Sequence, residues 1–189
     1  MKKSFDLRAF ESLPTTLKPS DYVDFLLFCM HKKHCVRLGK NSSQTYHEMI
    51  TWCNNHNLAY IVSASGYMYI ARNKPLAWLA KIADDSLSNH TYFFGKLLSY
   101  PSCCSKKLAN IGENKIDAFE KELVEQNKFA PPFNLINPEG YVKGYALISH
   151  IPCCSECKKS LKLAQNVYRV ISDHKEHPSF KCWVNYWLV

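Results

Sequence analysis

A short cysteine cassette occurs twice in this chain, and the repeat constrains the fold more than any other feature. The first cassette, residues 101–108, reads PSCCSKKL, and the second, residues 152–161, reads PCCSECKKSL. Each has a proline, adjacent cysteines and a serine, followed by a lysine pair that opens a helical pattern. This layout is typical of a helix N-terminus. Two helix starts brought together would form one site rich in thiolates.

The cassettes predict a metal site. Cys154 and Cys157 have a common chelating spacing, and Cys153 and Cys157, four residues apart, are expected to share a helix face. Adjacent cysteines point apart, so one of the first pair is expected to bind the ion while the other packs or reacts. The candidate ligands are Cys103, Cys104, Cys153, Cys154 and Cys157.

Thiolate ligands suit either zinc or an iron–sulfur cluster, and the sequence leaves both cofactors open. The helix starts and the neighbouring lysines Lys106, Lys107, Lys158 and Lys159 are expected to lower the pKa of the thiols. The competing interpretation is a pair of buried cysteines without a ligand, because cysteine is among the most buried residue types.

His150 is the candidate catalytic residue, because it precedes Cys153 by three positions. It could be a proton shuttle, a fourth metal ligand or a hydrogen-bonded structural histidine. Other histidines have simpler interpretations: His174 and His177 fall at a predicted helix end, and His31 and His34 flank a lysine pair that looks solvated. The remaining buried-type cysteines, Cys29, Cys35 and Cys53, are expected in the core.

The predicted fold class is α+β, a mixed helical protein with a small antiparallel hairpin and two cysteine cassettes at helix N-termini. Ser20 and Ser43 are predicted to cap two early helices. Residues 58–63 and 67–72 are rich in β-branched and aromatic side chains around a short turn, which predicts the hairpin. Residues 129–144 form a long loop ahead of His150 that could line a pocket. The tail, residues 180–189, alternates like a closing strand.

Length and composition bound the organisation. A chain of 189 residues is expected to form one domain or two packed halves, residues 1–85 and 86–189, with a polar seam near Asp84 to Ser88. No signal peptide or apolar stretch long enough to cross a bilayer is present, so we expect a cytosolic protein without a membrane partner. Nine cysteines in that compartment indicate metal binding or catalysis before disulfides.

The paired motifs resemble an uncharacterised archaeal and bacterial family. Its pattern is a Gly-Tyr-Pro-x-Cys-Cys segment followed by a His-x-Pro-Cys-Ser-x-x-Cys-x-x-Ser segment, and the resemblance covers residues 88–165. The resemblance implies that Cys103, Cys104, His150, Cys153 and Cys157 are the site residues. Ser99 stands where the pattern has glycine, and Cys154 stands where it has serine. The family supplies no activity.

Two classes of function remain open. The first is a small metalloenzyme of small-molecule or sulfur metabolism, with His150 as its catalytic group. The second is a basic module that binds nucleic acid or protein and uses metal only to hold its fold. A net charge of +8 permits a nucleic-acid partner, but the basic residues are dispersed and RNA-binding aromatic motifs are absent, so we do not expect one.

Known catalytic motifs narrow the first class. A P-loop, a dinucleotide-binding glycine pattern, a serine-hydrolase elbow and a zinc-protease motif are absent from the sequence. The strand and tryptophan that precede a thioredoxin-type Cys-x-x-Cys are absent too. The sequence does not indicate an oligomeric state.

Overall fold

A computed structural model of the chain describes residues 6–85, 90–127 and 130–188. Within these ranges α-helices pack around a three-stranded antiparallel sheet, so the predicted α+β class is confirmed. The helices are α1 (Leu7–Glu11), α2 (Pro19–Cys29), α3 (Ser43–Asn55), α4 (Lys74–Asp85), α5 (Thr91–Leu97), α6 (Ser102–Ile111), α7 (Ile116–Asn127), α8 (Gly140–Lys143), α9 (Lys158–Asp173) and α10 (Lys181–Trp187). Short 3-10 helices occur at Glu113–Lys115, Phe133–Ile136 and Pro178–Phe180.

The sheet has the strand order β1-β3-β2, with β1 at Cys35–Leu38, β2 at Ala59–Val62 and β3 at Met68–Ala71. The predicted hairpin is therefore present as β2 and β3, and β1 adds an edge strand that the sequence did not reveal. Gly66 closes the hairpin turn with a φ of +81°, a conformation that glycine adopts without steric cost. The central strand β3 is buried along its whole length, whereas β2 is half-exposed.

A single large hydrophobic cluster draws side chains from both predicted halves. Phe10 and Phe25 pack in the same cluster as Phe133, Phe180 and Trp183. A smaller cluster of Cys35, Tyr69, Ala71, Ala77, Ala80 and Leu98 fills the space between the sheet, α4 and α5. The predicted seam near Asp84 to Ser88 falls at the end of α4 and on residues 86–89, and those four lie outside the described residues.

Two helix caps differ from the prediction by small shifts. Helix α2 begins at Pro19 with Lys18 as its N-cap, because proline suits the first helical position and Asp21 bonds back to the Lys18 amide. Ser20 is therefore inside the helix. Helix α3 is capped by Ser42, whose hydroxyl accepts a hydrogen bond from the Thr45 amide at 3.1 Å, and Ser43 is its first residue.

The predicted closing strand in the tail is wrong, because residues 181–187 form helix α10. Trp183 and Trp187, four positions apart, turn to one side, and their indole N–H groups donate to the carbonyls of Ala146 and Tyr145. Burial of these large rings on one helix face outweighs the local alternation. The expected long loop ahead of His150 is also shorter, since residues 133–136 and 140–143 are helical.

None of the helices in the described ranges has the length and apolar content needed to cross a bilayer.

Candidate metal centre

The first cassette forms the start of α6. Pro101 is the N-cap residue, and Cys103 and Cys104 follow in the first turn. Helix α5 packs closely on this turn, because a Cβ atom at Gly95 would lie 2.5 Å from the Ser105 hydroxyl oxygen. In this turn Cys104 is buried and Cys103 is half-buried.

The second cassette forms the turn that leads into α9. Cys157 is the N-cap of α9 and is buried, Cys153 is half-buried, and Cys154 is exposed. Because α9 begins only at Lys158, Cys153 lies outside the helix, and the predicted helix face shared by Cys153 and Cys157 is wrong. The bend of residues 153–157 brings the two side chains together instead.

Four cysteine sulfurs from the two cassettes meet in space. The Sγ of Cys157 lies 3.7 Å from that of Cys104 and 3.8 Å from that of Cys103, and the two Sγ atoms of the first cassette are 3.9 Å apart. Together with the Sγ of Cys153 these atoms all lie within 4.8 Å of one another, a spacing compatible with binding one metal ion. We refer to Cys103, Cys104, Cys153 and Cys157 as the four-cysteine group.

Two expectations about these ligands are corrected by the geometry. Cys154 was a candidate ligand, but it is exposed and does not belong to the four-cysteine group. Cys103 and Cys104 were expected to divide into one ligand and one bystander, yet both sulfurs point to the same place.

Without a metal ion, the thiols of Cys157, Cys104 and Cys153 have different pKa values. Burial opposes ionisation of Cys157, but hydrogen bonds from the hydroxyl and amide of Ser160 and from the thiols of Cys153 and Cys104 lower its pKa to about 6. Burial raises the pKa of Cys104 to about 12 and also raises the pKa of Cys153. One thiolate is thus stabilised by neighbouring donors.

The cassette lysines contribute less to lowering the thiol pKa than the sequence indicated. Lys106, Lys107, Lys158 and Lys159 are all exposed at the surface. Lys159 extends back to the start of α6, where its Nζ lies 3.3 Å from the Ser102 hydroxyl. The groups that lower the pKa of Cys157 are hydrogen-bond donors close to the sulfur.

His150 reaches the four-cysteine group through Ser160. Its Nε2 lies 2.9 Å from the Ser160 hydroxyl oxygen, which in turn lies 3.3 Å from the Cys157 sulfur and 3.5 Å from the Cys104 sulfur. Burial, and then the charge of Lys33, lowers the pKa of His150 to about 3, so its ring is neutral near pH 7. The side chain is joined to the sulfurs by one intervening hydroxyl.

A buried ion pair lies on the other side of His150, and the sequence did not reveal it. The Lys33 ammonium contacts the Asp24 carboxylate, which also accepts a hydrogen bond from the Tyr141 hydroxyl. The Tyr100 ring lies 5.0 Å from the Lys33 nitrogen and 5.3 Å from the His150 ring. Lys33 was expected at a solvated helix end, but it is only 3% exposed.

The remaining histidine and cysteine candidates lie elsewhere. His177 accepts a hydrogen bond from the Ser179 amide and contacts Glu11 at 2.7 Å, which fits the structural role expected for it. Cys29, Cys35 and Cys53 are buried in the core, as predicted. The exposed Cys182 lines a separate cavity of about 460 Å³ that contains no member of the four-cysteine group.

Comparison with family models, curated proteins and solved structures found no match to this chain.

Proposed function

We propose that this protein binds one zinc ion through the thiolates of Cys103, Cys104, Cys153 and Cys157. The supporting observation is the spacing of the sulfurs. A tetrahedral ion with zinc–sulfur bonds of about 2.3 Å has ligand sulfurs about 3.8 Å apart. The three Sγ separations among Cys103, Cys104 and Cys157 are 3.7, 3.8 and 3.9 Å, and the Sγ of Cys153 lies within 4.8 Å of each of these atoms.

An iron–sulfur cluster fits this spacing less well. In a cluster the four cysteines are divided among two or four irons that are joined by bridging sulfides, so thiolates on different irons spread apart. Here all four sulfurs lie within 4.8 Å of one another. A mononuclear ion suits so compact a set, and zinc is the ion that four thiolates most often hold in structural sites.

The charge around the group supports the same proposal. Four thiolates and one divalent ion carry a net charge of −2, and a positively charged surface offsets it. The cassette lysines are exposed at the two helix starts that supply the ligands.

Four protein ligands leave no coordination position for water or substrate, which is the arrangement of a structural rather than a catalytic zinc site. The ion would fasten the start of α6 to the turn before α9. His150 would then act behind the ligands by orienting Ser160, whose hydroxyl donates to the Cys157 sulfur, as outer groups do at many metal sites. Any chemistry would take place beside the ion.

Metal analysis of anaerobically purified protein tests this proposal. We expect one zinc per chain, no acid-labile sulfide, and a cobalt-substituted form with the absorption bands of tetrahedral thiolate coordination. Cys153→Ser should lose the metal or bind it far more weakly. Cys154→Ser is a matched control one residue away, and it should retain a full equivalent. Stoichiometric iron with sulfide, or folded metal-free protein that a chelator does not affect, would refute the proposal.

The second candidate function is a nucleic-acid-binding module, favoured by the exposed lysines at the two helix starts. Its affinity for RNA or DNA should fall steeply between low and moderate salt. Replacement of Lys106 and Lys158 by Gln separates the two roles. Loss of salt-sensitive RNA binding with intact metal content would favour the module, whereas weaker metal retention without RNA binding supports charge compensation at the ion.

A further inference from the structure

A cavity of about 380 Å³ lies beside the four-cysteine group, and His150 is part of its wall. This volume is within the range of small-molecule binding sites. The wall is largely apolar and aromatic, and includes Phe94, Leu98, Tyr100, Leu108, Tyr141 and Ile148. Residues 138–142, which belong to the segment predicted to line a pocket ahead of His150, contribute Pro138, Tyr141 and Val142.

Three polar side chains in this wall form no side-chain hydrogen bond with a described residue. The Ser149 hydroxyl is buried and has no hydrogen-bond partner in the part of the chain that the structure describes. The Tyr100 hydroxyl and the Glu120 carboxyl are influenced by burial and by nearby charges, without a hydrogen bond to a described residue. All three can accept a hydrogen bond, and an ionised carboxylate can only accept.

The positive charges near the cavity are already compensated. Arg37 lines the cavity, but its guanidinium donates to both carboxylate oxygens of Asp84 at 2.8 and 3.1 Å. Lys33, behind Tyr100, is held by Asp24. An anionic ligand would therefore find no free cation among the described residues of the wall, while a hydrogen-bond donor would find several acceptors.

We propose that this cavity binds an uncharged, mainly aromatic small molecule that carries an N–H or O–H donor. The aromatic body packs against Phe94 and Tyr100, and burial of apolar surface supplies most of the affinity. The donor bonds to Glu120, with Ser149 and Tyr100 as further acceptors. The proposal goes beyond metal binding and does not depend on which ion the four-cysteine group holds.

Methyl NMR of the full-length, metal-loaded protein tests this site with indole as the probe. Three isoleucines line the cavity, Ile116, Ile148 and Ile151, and their methyl signals should shift in a saturable way. Benzothiophene is the matched compound, with a similar bicyclic shape but no N–H donor. It should bind about three- to ten-fold more weakly than indole, the effect of losing one hydrogen bond.

Two pairs of variants locate the binding. Val142→Trp should cover the mouth of the cavity and weaken indole binding, because Val142 lines the cavity and is 77% exposed, which places it at the rim where the larger ring does not disturb the core. Val62→Trp, on the exposed face of β2, is its control and should leave indole binding unchanged. Glu120→Leu should reduce the preference for indole over benzothiophene, whereas Glu125→Leu, exposed on the same helix, should preserve it.

Several outcomes of these experiments would contradict the proposal. The proposal is overturned if indole does not shift the three isoleucines saturably, or if Val142→Trp binds indole as the unmodified protein does. Equal affinity for indole and benzothiophene would overturn the assigned donor. The anionic probe indole-3-carboxylate should bind more weakly than its neutral counterpart of the same size, indole-3-carboxamide, and tighter binding would show that the cavity selects charge.

Discussion

The hydroxyl oxygen of Ser160 lies 2.9 Å from Nε2 of His150, so one side chain links the imidazole to the four-cysteine group. A neutral histidine can donate from Nε2 to this oxygen, which leaves the serine O–H free to donate to the Cys157 sulfur at 3.3 Å. The pair therefore fixes the direction of a hydrogen bond to a thiolate. Ser160 is itself fully buried on the inner face of α9.

Ser160→Ala should raise the pKa of Cys157 in the metal-free protein. The hydroxyl is the first of the groups that offset burial and hold this pKa at about 6. Thiolate absorbance in the ultraviolet, followed against pH with a Cys157→Ser reference, measures the change. Ser155→Ala, in the same cassette, should leave the pKa where it is. An unchanged titration in Ser160→Ala would show that the hydroxyl does not stabilise the thiolate.

The stability of the metal-free protein should rise with pH between about 7 and 8. The folded pKa of Cys157, about 6, is below the ordinary thiol value of 9.0, so in this window the unfolded chain binds the proton and the folded chain does not. Stability gained from the thiolate is lost as pH falls toward 6. The slope is at most about 1.4 kcal/mol per pH unit for one proton.

Urea unfolding in the presence of a chelator measures this slope, and Cys157→Ser should flatten it. The window avoids His150, whose depressed pKa affects stability only at lower pH. It also ends below the range of Cys29, Cys35, Cys53, Cys104 and Cys153, because these thiols have raised pKa values in the folded protein and lose a proton in the unfolded chain only as the pH approaches 9. Stability that is independent of pH, or that declines from 7 to 8, would contradict the assignment.

Lys33→Met should destabilise the protein by about 3–5 kcal/mol, because it leaves a buried carboxylate without its partner. Asp24 would keep only the Tyr141 hydroxyl as a described side-chain donor. Lys32→Met, its exposed neighbour, should have little effect. The double variant Lys33→Met/Asp24→Asn should recover much of the loss in denaturant unfolding. If stability is not recovered, the lysine side chain stabilises the protein through its packing and not through its charge.

Two replacements of Ser99 should distinguish the effect of backbone strain on stability from the effect of a lost hydrogen bond. Ser99 has a φ of +63°, in the left-handed region that favours glycine, and its hydroxyl accepts from the His34 amide at 3.0 Å. Both Ser99→Ala and Ser99→Gly lose this bond, but only alanine retains the strain. We therefore expect the glycine variant to be more stable than the alanine variant by about 1 kcal/mol. Equal thermal midpoints would count against strain at this position.

Gly95→Ala should destabilise the protein by about 1–3 kcal/mol, the usual range for overpacking. The added Cβ would lie 2.5 Å from Oγ and 3.0 Å from Cβ of Ser105, so α5 and α6 would have to separate. Ser105→Gly in the same chain should relieve the clash, and a double-mutant cycle measures the coupling. Additive effects of the two changes would mean that the helices do not meet through this pair.

Local sequence patterns were sufficient to predict much of the fold and the close approach of the two cassettes. The hairpin followed from its β-branched strands and glycine turn, and the cysteines followed from proline, serine and lysine at two helix starts. The tail failed because alternation over a few residues is ambiguous for a segment whose two tryptophans bury against residues 145 and 146. Burial in the tertiary structure therefore determines that the tail is a helix and not a strand.

The polar environment of the site was harder to predict. A lysine beside another lysine is expected to be solvated. Only the fold shows that Asp24, nine positions earlier, pairs with Lys33, and that Tyr141, more than a hundred positions later, donates to Asp24. Ser160 is similar: its spacing from Cys157 places it one turn into α9, but the partnership with His150 depends on how residues 146–157 fold back. Such contacts leave no periodic signal in the sequence.

The two cassettes are far apart in the chain, and this separation has a consequence for folding. Cys104 and Cys157 are 53 positions apart, yet their sulfurs are 3.7 Å apart. A bond that joins these positions closes a long loop, and a covalent crosslink of this length removes conformational entropy from the unfolded chain worth about 4 kcal/mol. An ion held by both ends would act as a reversible clasp on α6, α7 and α8, so metal supply would set how firmly this third of the chain stays folded.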